Sequence, residues 1–379
     1  MFYDFANLLL IFILILIPFR LGLIPGWLSF FLAVFACTPF FLNDVLFPAS
    51  LFSDQFRYLD SVQNIRSLDF TFYDSASIEI SSRMLALIPL PYSETMQSLG
   101  FFNRLLATAL IIWLYVSKKI RGWPLLFILF YPSFLLYSSV GLRDTLVLLF
   151  MTISVILFLE KRRLAALFFS LPLLYIKFQN FFIFIMFFVI HLSFSKGTLI
   201  YKFRYLILPI ILAAITPYIM TIIELLDVYR RYFFIDDGGD PNLYVSIETF
   251  KEFIILAFQS APYFLIKPLP WEAANFIQFV QSLENLFLFG FLVFIFIKVS
   301  KFDKEIAFKW LVFLILAFSI YGLTVFNFGT AVRYKFPFIV VVIIGIAYEL
   351  YLKHGQFILN RRTIYKKSPH DMGIRQEFD

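Results

Sequence analysis

Charged side chains stand at the ends of long apolar runs in this sequence, where they could bind an anion and assist group transfer. Arg143 and Asp144 precede one such run, and Arg333 and Lys335 precede the last one. Arginine can hold a phosphate through two N–H groups at once, whereas lysine acts as a point charge. A carboxylate beside them can take the proton of an attacking hydroxyl. These residue types therefore suit a site for an anionic substrate at the edge of a membrane.

The composition indicates that the elements that position these charges are membrane helices. Of the 379 residues, 61% are hydrophobic and 15% are charged, whereas a soluble domain has about 45–50% apolar and about 25% charged residues. The repeated apolar runs predict an all-α polytopic membrane protein with about 11 transmembrane helices, in a range of roughly 10–13. The approximate spans are 6–19, 22–42, 98–116, 123–139, 144–160, 164–176, 180–194, 205–226, 283–298, 308–326 and 335–352.

The sequence lacks the common metal and nucleotide motifs. Its one cysteine, Cys37, lies in an apolar run, and its three histidines are scattered without the spacing of zinc ligands. Neither GxGxxG nor GxxxxGK[ST] occurs. We therefore expect no ATPase or dehydrogenase activity, no cofactor and no nucleic-acid partner. A metal is not required, since arginines can supply the positive charge.

The distribution of basic residues predicts the orientation of the chain. Basic clusters occur near 117–122, 160–163, 195–204 and 298–304, and positively charged loops stay in the cytoplasm. This places the N-terminus outside and leaves two large external loops, about 43–97 and about 227–282. Within the second loop, residues 249–267 could be a further span or an interfacial or re-entrant helix, which we favour. We expect one integral-membrane domain over residues 1–354 and a basic cytoplasmic tail over residues 355–379.

In this topology the charges nearest the membrane gather on the external face, against the usual bias of basic residues. Each also has an ordinary alternative role, as a helix-start residue or a headgroup anchor. The candidate proton acceptors are Asp54 and Asp60, with Asp144, Glu272 and Glu284 in reserve. The candidate ligands of a diphosphate or glycan are Arg57, Arg143, Lys177, Arg230, Arg231, Trp271, Arg333 and Lys335.

Three segments carry a resemblance to a known family: "SSVGLRDTLVL", "IKPLPWEAANFIQFVQSLENL" and "GTAVRYKFPFIVVV". With the hydropathy profile and the large external loops, the chain resembles the Wzy-type polymerases of bacterial O-antigen and capsular repeat units, from about residue 44 to 350. The resemblance implies a helical bundle like that of the type-C glycosyltransferases. The family's external arginines correspond to Arg143, Arg333 and also Arg230 and Arg231.

The resemblance also implies an activity and a location. The enzyme would transfer a growing glycan from undecaprenyl diphosphate to a new lipid-linked repeat unit, on the periplasmic face of the bacterial inner membrane. Its partners would be lipid-linked glycans, membrane lipids and a chain-length regulator protein.

Two other functions stay open from the sequence. "FSDQFRYLD" is similar to the acidic first-loop motif of type-C glycosyltransferases that use a polyprenyl-phosphate sugar and add a single sugar. A flippase or transporter of lipid-linked oligosaccharide is the third candidate. A flippase should carry charges along a cavity in mid-membrane, whereas the clear spans here are almost uncharged apart from Arg104 and Glu224.

Overall fold

The computed structural model describes residues 4–43, 45–69, 75–195, 198, 200–203, 216–236 and 239–355. Within these ranges the chain is almost entirely helical and contains no β-strand, so the predicted all-α class is confirmed. The first eight helices are α1 (Asp4–Arg20), α2 (Gly26–Ala36), α3 (Thr38–Leu42), α4 (Asp54–Arg66), α5 (Ala76–Ala86), α6 (Met96–Val116), α7 (Trp123–Phe130) and α8 (Pro132–Tyr137). The remaining helices are α9 (Asp144–Leu159), α10 (Arg163–Ile176), α11 (Phe178–Phe194), α12 (Ile219–Asp236), α13 (Phe250–Ile266), α14 (Phe276–Phe302), α15 (Lys304–Thr324) and α16 (Phe328–His354).

Four of the described helices, α6, α14, α15 and α16, are long and apolar enough to cross a membrane. They give the chain the character of a membrane protein, while the predicted count of about 11 spans stays a prediction. Helix α16 lies deepest, because it is apolar on all sides and packs against α8, α9 and α15. Gly345 permits the contact with α15, since a Cβ there would lie 2.0 Å from the ring of Trp310.

Two of the predicted spans are broken into shorter helices. The predicted span 123–139 divides at Tyr131 into α7 and α8, because Pro132 cannot continue the helical hydrogen bonds and favours an extended residue before it. The predicted span 22–42 divides at Cys37, giving α2 and α3, with Pro39 in the first turn of α3. The start of the predicted span 205–226 and nearly all of the predicted tail 355–379 lie outside the described residues.

Both of the predicted external loops contain helices. In the first, α4 and α5 pack against each other. In the second, α13 is tied at both ends near the place where α15 ends and α16 begins. The Ile247 N–H, just before α13, donates to Asp227 of α12 (2.9 Å), and Arg230 joins α12 to the last turn of α15. The carbonyl of Leu265 accepts from Lys335 of α16 (2.8 Å). These attachments hold both ends of α13 against neighbouring helices.

Ion pairs join the helices at the opposite end of α16. Glu349 accepts from Lys309 Nζ (2.5 Å) and from Trp310 Nε1 (2.8 Å) of α15. Glu160, at the end of α9, accepts from Tyr348 (2.9 Å) and pairs with Lys119. The charges at this end are paired with each other, which suits a structural role.

Candidate active site

A cavity of about 470 Å³ lies at the N-terminal end of α16. Residues from the start of α4, from α12 and α15 and from the helix breaks before α9 and α11 line it together with α16. Its charged lining side chains are Asp54, Arg143, Lys177, Asp236 and Arg333, and tyrosines form much of the remaining wall. The site therefore combines cations, accessible acids and flat aromatic surfaces, which suit a phosphorylated glycan.

Arg333 joins two carboxylates from different parts of the sequence. Its Nε donates to Asp144 Oδ2 (2.5 Å) and its Nη1 donates to Asp54 Oδ2 (2.8 Å). The two acids differ in burial: the Asp144 side chain is 1% exposed and the Asp54 side chain is 42% exposed. Asp54 therefore faces the cavity, whereas Asp144 supports the arginine from behind.

Lys177 is a single non-helical residue between α10 and α11. Its Nζ lies 3.9 Å from Asp144 Oδ1 and 2.9 Å from the centre of the Tyr334 ring. An ammonium over an aromatic face is stabilised by the ring quadrupole. The helix break at Lys177 thus places its buried ammonium near Asp144, the same carboxylate that pairs with Arg333.

Arg143 immediately precedes α9 and links two other elements. Its Nη1 donates to Ser77 Oγ of α5 (2.7 Å) and to the carbonyl of Ile176 at the end of α10 (3.0 Å). In the described part of the chain its buried Nε has no hydrogen-bond partner, and neither does Asp144 Oδ1. Buried polar groups normally have partners. Because Arg143 lines the cavity, its free Nε leaves bonding capacity for an anionic ligand or water.

Buried polar side chains hold the non-helical segment 138–143, which carries Arg143. Asn103 of α6 donates to the carbonyls of Val140 and Leu142, both at 2.6 Å. The Gly141 N–H donates to Gln55 Oε1 of α4 (2.7 Å). Arg104 of α6 donates to the carbonyl of Leu135 (2.7 Å) and to Ser139 Oγ. Side chains therefore satisfy several of the backbone groups that lack helical partners at this break, as burial in a membrane bundle requires.

Two glycines allow the same segment to lie directly on α6. A Cβ at Gly100 would lie 2.2 Å from the carbonyl oxygen of Ser139, and a Cβ at Gly141 would lie 2.6 Å from Leu99 Cβ. Both distances are too short for a real contact. Close approach of α6 thus fixes the position of Arg143 and Asp144.

The pKa of Asp54 is lowered by its neighbours. Burial alone would raise this pKa, but the charge and hydrogen bond of Arg333, followed by the charges of Arg143 and Arg57, outweigh burial. Asp54 is therefore ionised at neutral pH, and while Arg333 holds it, it is a weak base.

Lys335 was predicted to bind substrate, but it does not line the cavity. It is fully buried, and its Nζ donates to the carbonyl of Leu265 (2.8 Å) and to Asn285 Oδ1 (2.7 Å). A cation beside the last carbonyls of α13 satisfies the end of that helix and its dipole. The position therefore indicates a structural anchor.

Arg230 and Arg231, also predicted ligands, lie outside the cavity lining. Arg230 Nε donates to the carbonyl of Leu323 (2.8 Å), and its Nη1 pairs with Asp227 (3.2 Å). Arg231 is exposed on α12. Arg230 thus anchors α12 to α15, although its neighbours Tyr229 and Phe233 do reach the cavity.

The remaining candidates are not part of the cavity lining, and all of them except the partly buried Glu284 are exposed. Arg57 and Asp60 lie on the outer surface of α4. Trp271 is 78% exposed. Glu272 pairs with Lys267, whose hydrogen bond lowers the pKa of the carboxylate. Glu284 accepts from Ser133 Oγ (2.6 Å), away from the cavity.

The sequence interpretation missed the supporting residues. Asn103 and Gln55 hold segment 138–143, and Tyr334 lies under Lys177. An asparagine within a predicted span indicates a polar contact inside the helix bundle, because buried amides in membrane helices need hydrogen-bond partners. Within the described ranges, no group of three or more His, Cys, Asp or Glu side chains could hold a metal ion.

No protein-family model matches the sequence, and no curated protein and no solved structure matches it. The function has to be inferred from the chemistry of the cavity and from the residues of the resemblance.

Proposed function

We propose that this chain is a membrane glycosyltransferase that polymerises undecaprenyl-diphosphate-linked repeat units into O-antigen or capsular polysaccharide. In this proposal the cavity faces the periplasm, the protein lies in the bacterial inner membrane, and a chain-length regulator limits the product. The observation that carries the proposal is the cavity itself. It brings Arg143, Lys177 and Arg333 together with an accessible carboxylate at one end of the bundle.

Each group has a task in glycosyl transfer from a lipid diphosphate. Arg143, Lys177 and Arg333 offset the negative charge that develops on the departing diphosphate. The acceptor hydroxyl oxygen attacks C1 of the donor sugar, and its proton passes to Asp54. The bond between C1 and the phosphate oxygen breaks, and its electron pair leaves with the lipid diphosphate. Asp144 touches no substrate and acts as a positioning residue for Arg333 and Lys177.

The decisive experiment compares surface polysaccharide after gene deletion and complementation. We expect deletion to leave one repeat unit on the lipid and to remove the ladder of longer chains on a gel. A truncated repeat unit would instead favour the single-sugar transferase. Loss of every external glycan would favour a flippase.

Complementation tests the site. We expect Arg143→Ala and Arg333→Ala to leave the ladder absent, since removal of one charge-stabilising donor costs about 10²–10³ in rate. Arg231→Ala is the matched control, because Arg231 is an exposed arginine outside the cavity lining. Normal ladders from both cavity variants, at wild-type protein levels, would overturn the site.

A further inference from the structure

We propose that the diphosphate of the donor displaces Asp54 from Arg333, so that the carboxylate becomes a competent base only when the donor is bound. This inference rests on the proposed function and adds a control step to the same site. It would prevent Asp54 from acting before a donor is in place.

The geometry makes Asp54 the weaker of the two acids that hold Arg333. Arg333 uses Nε for Asp144 and Nη1 for Asp54. Asp144 is buried and has a second cation, Lys177, 3.9 Å from its other oxygen. Asp54 is 42% exposed, lines the cavity and is the first residue of α4. An anion that enters the cavity can therefore take over Nη1 without moving the buried pair.

The charges around Asp54 favour replacement of its carboxylate by the anion at Arg333. Arg333 of α16 donates to Asp54, Arg143 before α9 lines the same cavity, and Arg57 lies on the same helix as Asp54. Lys177 and Asp236 line the same cavity, and Asp144 lies behind Arg333. A diphosphate brings more negative charge than one carboxylate, and arginine binds phosphate oxygens in a fork. The anion thus competes favourably for the guanidinium, and its own charge then favours protonation of Asp54.

Two measurable consequences follow from this competition. Since a proton binds more tightly to Asp54 once the anion is present, anion binding must take up protons, by reciprocity between the two ligands. Removal of the carboxylate should also strengthen anion binding, because a competitor for Arg333 is lost. Tighter binding together with lost transfer is not expected of a residue that only supports the fold.

The experiment is titration calorimetry of the purified full-length protein in detergent with inorganic pyrophosphate. Titrations in buffers of different ionisation enthalpy, between pH 4 and pH 6, give the number of protons taken up. The comparison is wild type against Asp54→Asn, with Asp60→Asn as the matched control on the exposed side of the same helix. If Asp54→Asn does not fold, Asp54→Ser replaces it as the variant without a carboxylate.

We expect wild type and Asp60→Asn to take up more protons per pyrophosphate than Asp54→Asn, by up to about one proton, and Asp54→Asn to bind about tenfold more tightly. Equal proton uptake and equal affinity in all three proteins would overturn the inference and leave the proposed function standing. Absence of pyrophosphate binding to wild type and Asp54→Asn would overturn the anion site, and with it this inference. The polysaccharide ladder would then decide the proposed function separately.

Discussion

Asp54 and Asp144 bind the same arginine but differ in how far each is removed from solvent. We expect Asp144→Asn to lower the free energy of unfolding by about 3–5 kcal/mol, because it leaves buried cations without their counter-charge. Asp54→Asn should lower it by much less, since its pair with Arg333 is partly exposed. Thermal unfolding of both variants in the same detergent measures the difference. Equal losses from the two changes would contradict the assigned roles.

The pH dependence of stability gives a second prediction for Asp54. Its folded-state pKa is lowered, chiefly because Arg333 outweighs the effect of burial. Its contribution to stability is therefore complete above the unfolded value of about 3.9 and is lost as pH falls through the lower folded value. We expect the melting temperatures of wild type and Asp54→Asn to differ by a constant amount from pH 7 to about pH 5 and to converge below about pH 4. Convergence already between pH 7 and pH 6 would contradict this assignment.

For single residues, the sequence predicted which side chains lie near the site better than it predicted the direction in which each one points. It predicted that Asp54, Arg143, Lys177 and Arg333 would lie near the membrane edge, and the structure places all four at one cavity. It also put Lys335 there, but two residues along a helix turn the side chain by about 200°, away from Arg333. A tertiary contact such as that of Arg143 with Ser77 has no signal in a single sequence.

The packing of segment 138–143 against helix α6 positions the site. We expect Gly100→Ala to destabilise the protein by about 1–3 kcal/mol and to impair polymerisation, because the added methyl would meet the Ser139 carbonyl at 2.2 Å. Thermal unfolding and the polysaccharide ladder measure the two effects.

Gly290→Ala in α14 is the matched control for this change. A Cβ at Gly290 would meet nothing within 4 Å. Alanine favours a helix over glycine by about 0.5–1 kcal/mol, so this variant should be as stable as wild type or more stable. A normal melting temperature and ladder from Gly100→Ala would show that α6 does not fix segment 138–143.

Helix breaks were only partly predictable. Pro132 signals the break between α7 and α8, and Lys177 between two apolar runs signals the turn before α11. The break at residues 138–143 has no proline, and its glycine is weak evidence alone. Its conformation depends on Asn103 and Gln55, which are distant in sequence.

Across the whole molecule, the two ends of α16 differ in how their charges are satisfied. At the end that contains Glu349, carboxylates accept from lysine and tryptophan side chains. At the cavity end, Arg143 Nε and Asp144 Oδ1 lack hydrogen-bond partners within the described residues. Other buried polar atoms without a hydrogen-bond partner in the described chain, such as His191 Nε2, lie elsewhere in the bundle. Arg143, however, lines the cavity, so an anionic ligand gains by pairing with its Nε.

The orientation of these ends in the membrane is the last prediction. Helix α14 has 27 residues, about 40 Å at 1.5 Å per residue, which exceeds the roughly 30 Å of hydrocarbon. Its last turn carries Lys301 beside other lysines, so this end should be cytoplasmic. In a Cys37→Ser background, we expect a membrane-impermeant maleimide to label Asp60→Cys in intact spheroplasts and Lys301→Cys only after permeabilisation. The reverse pattern would place the cavity in the cytoplasm, where polymerisation on the periplasmic face could not occur.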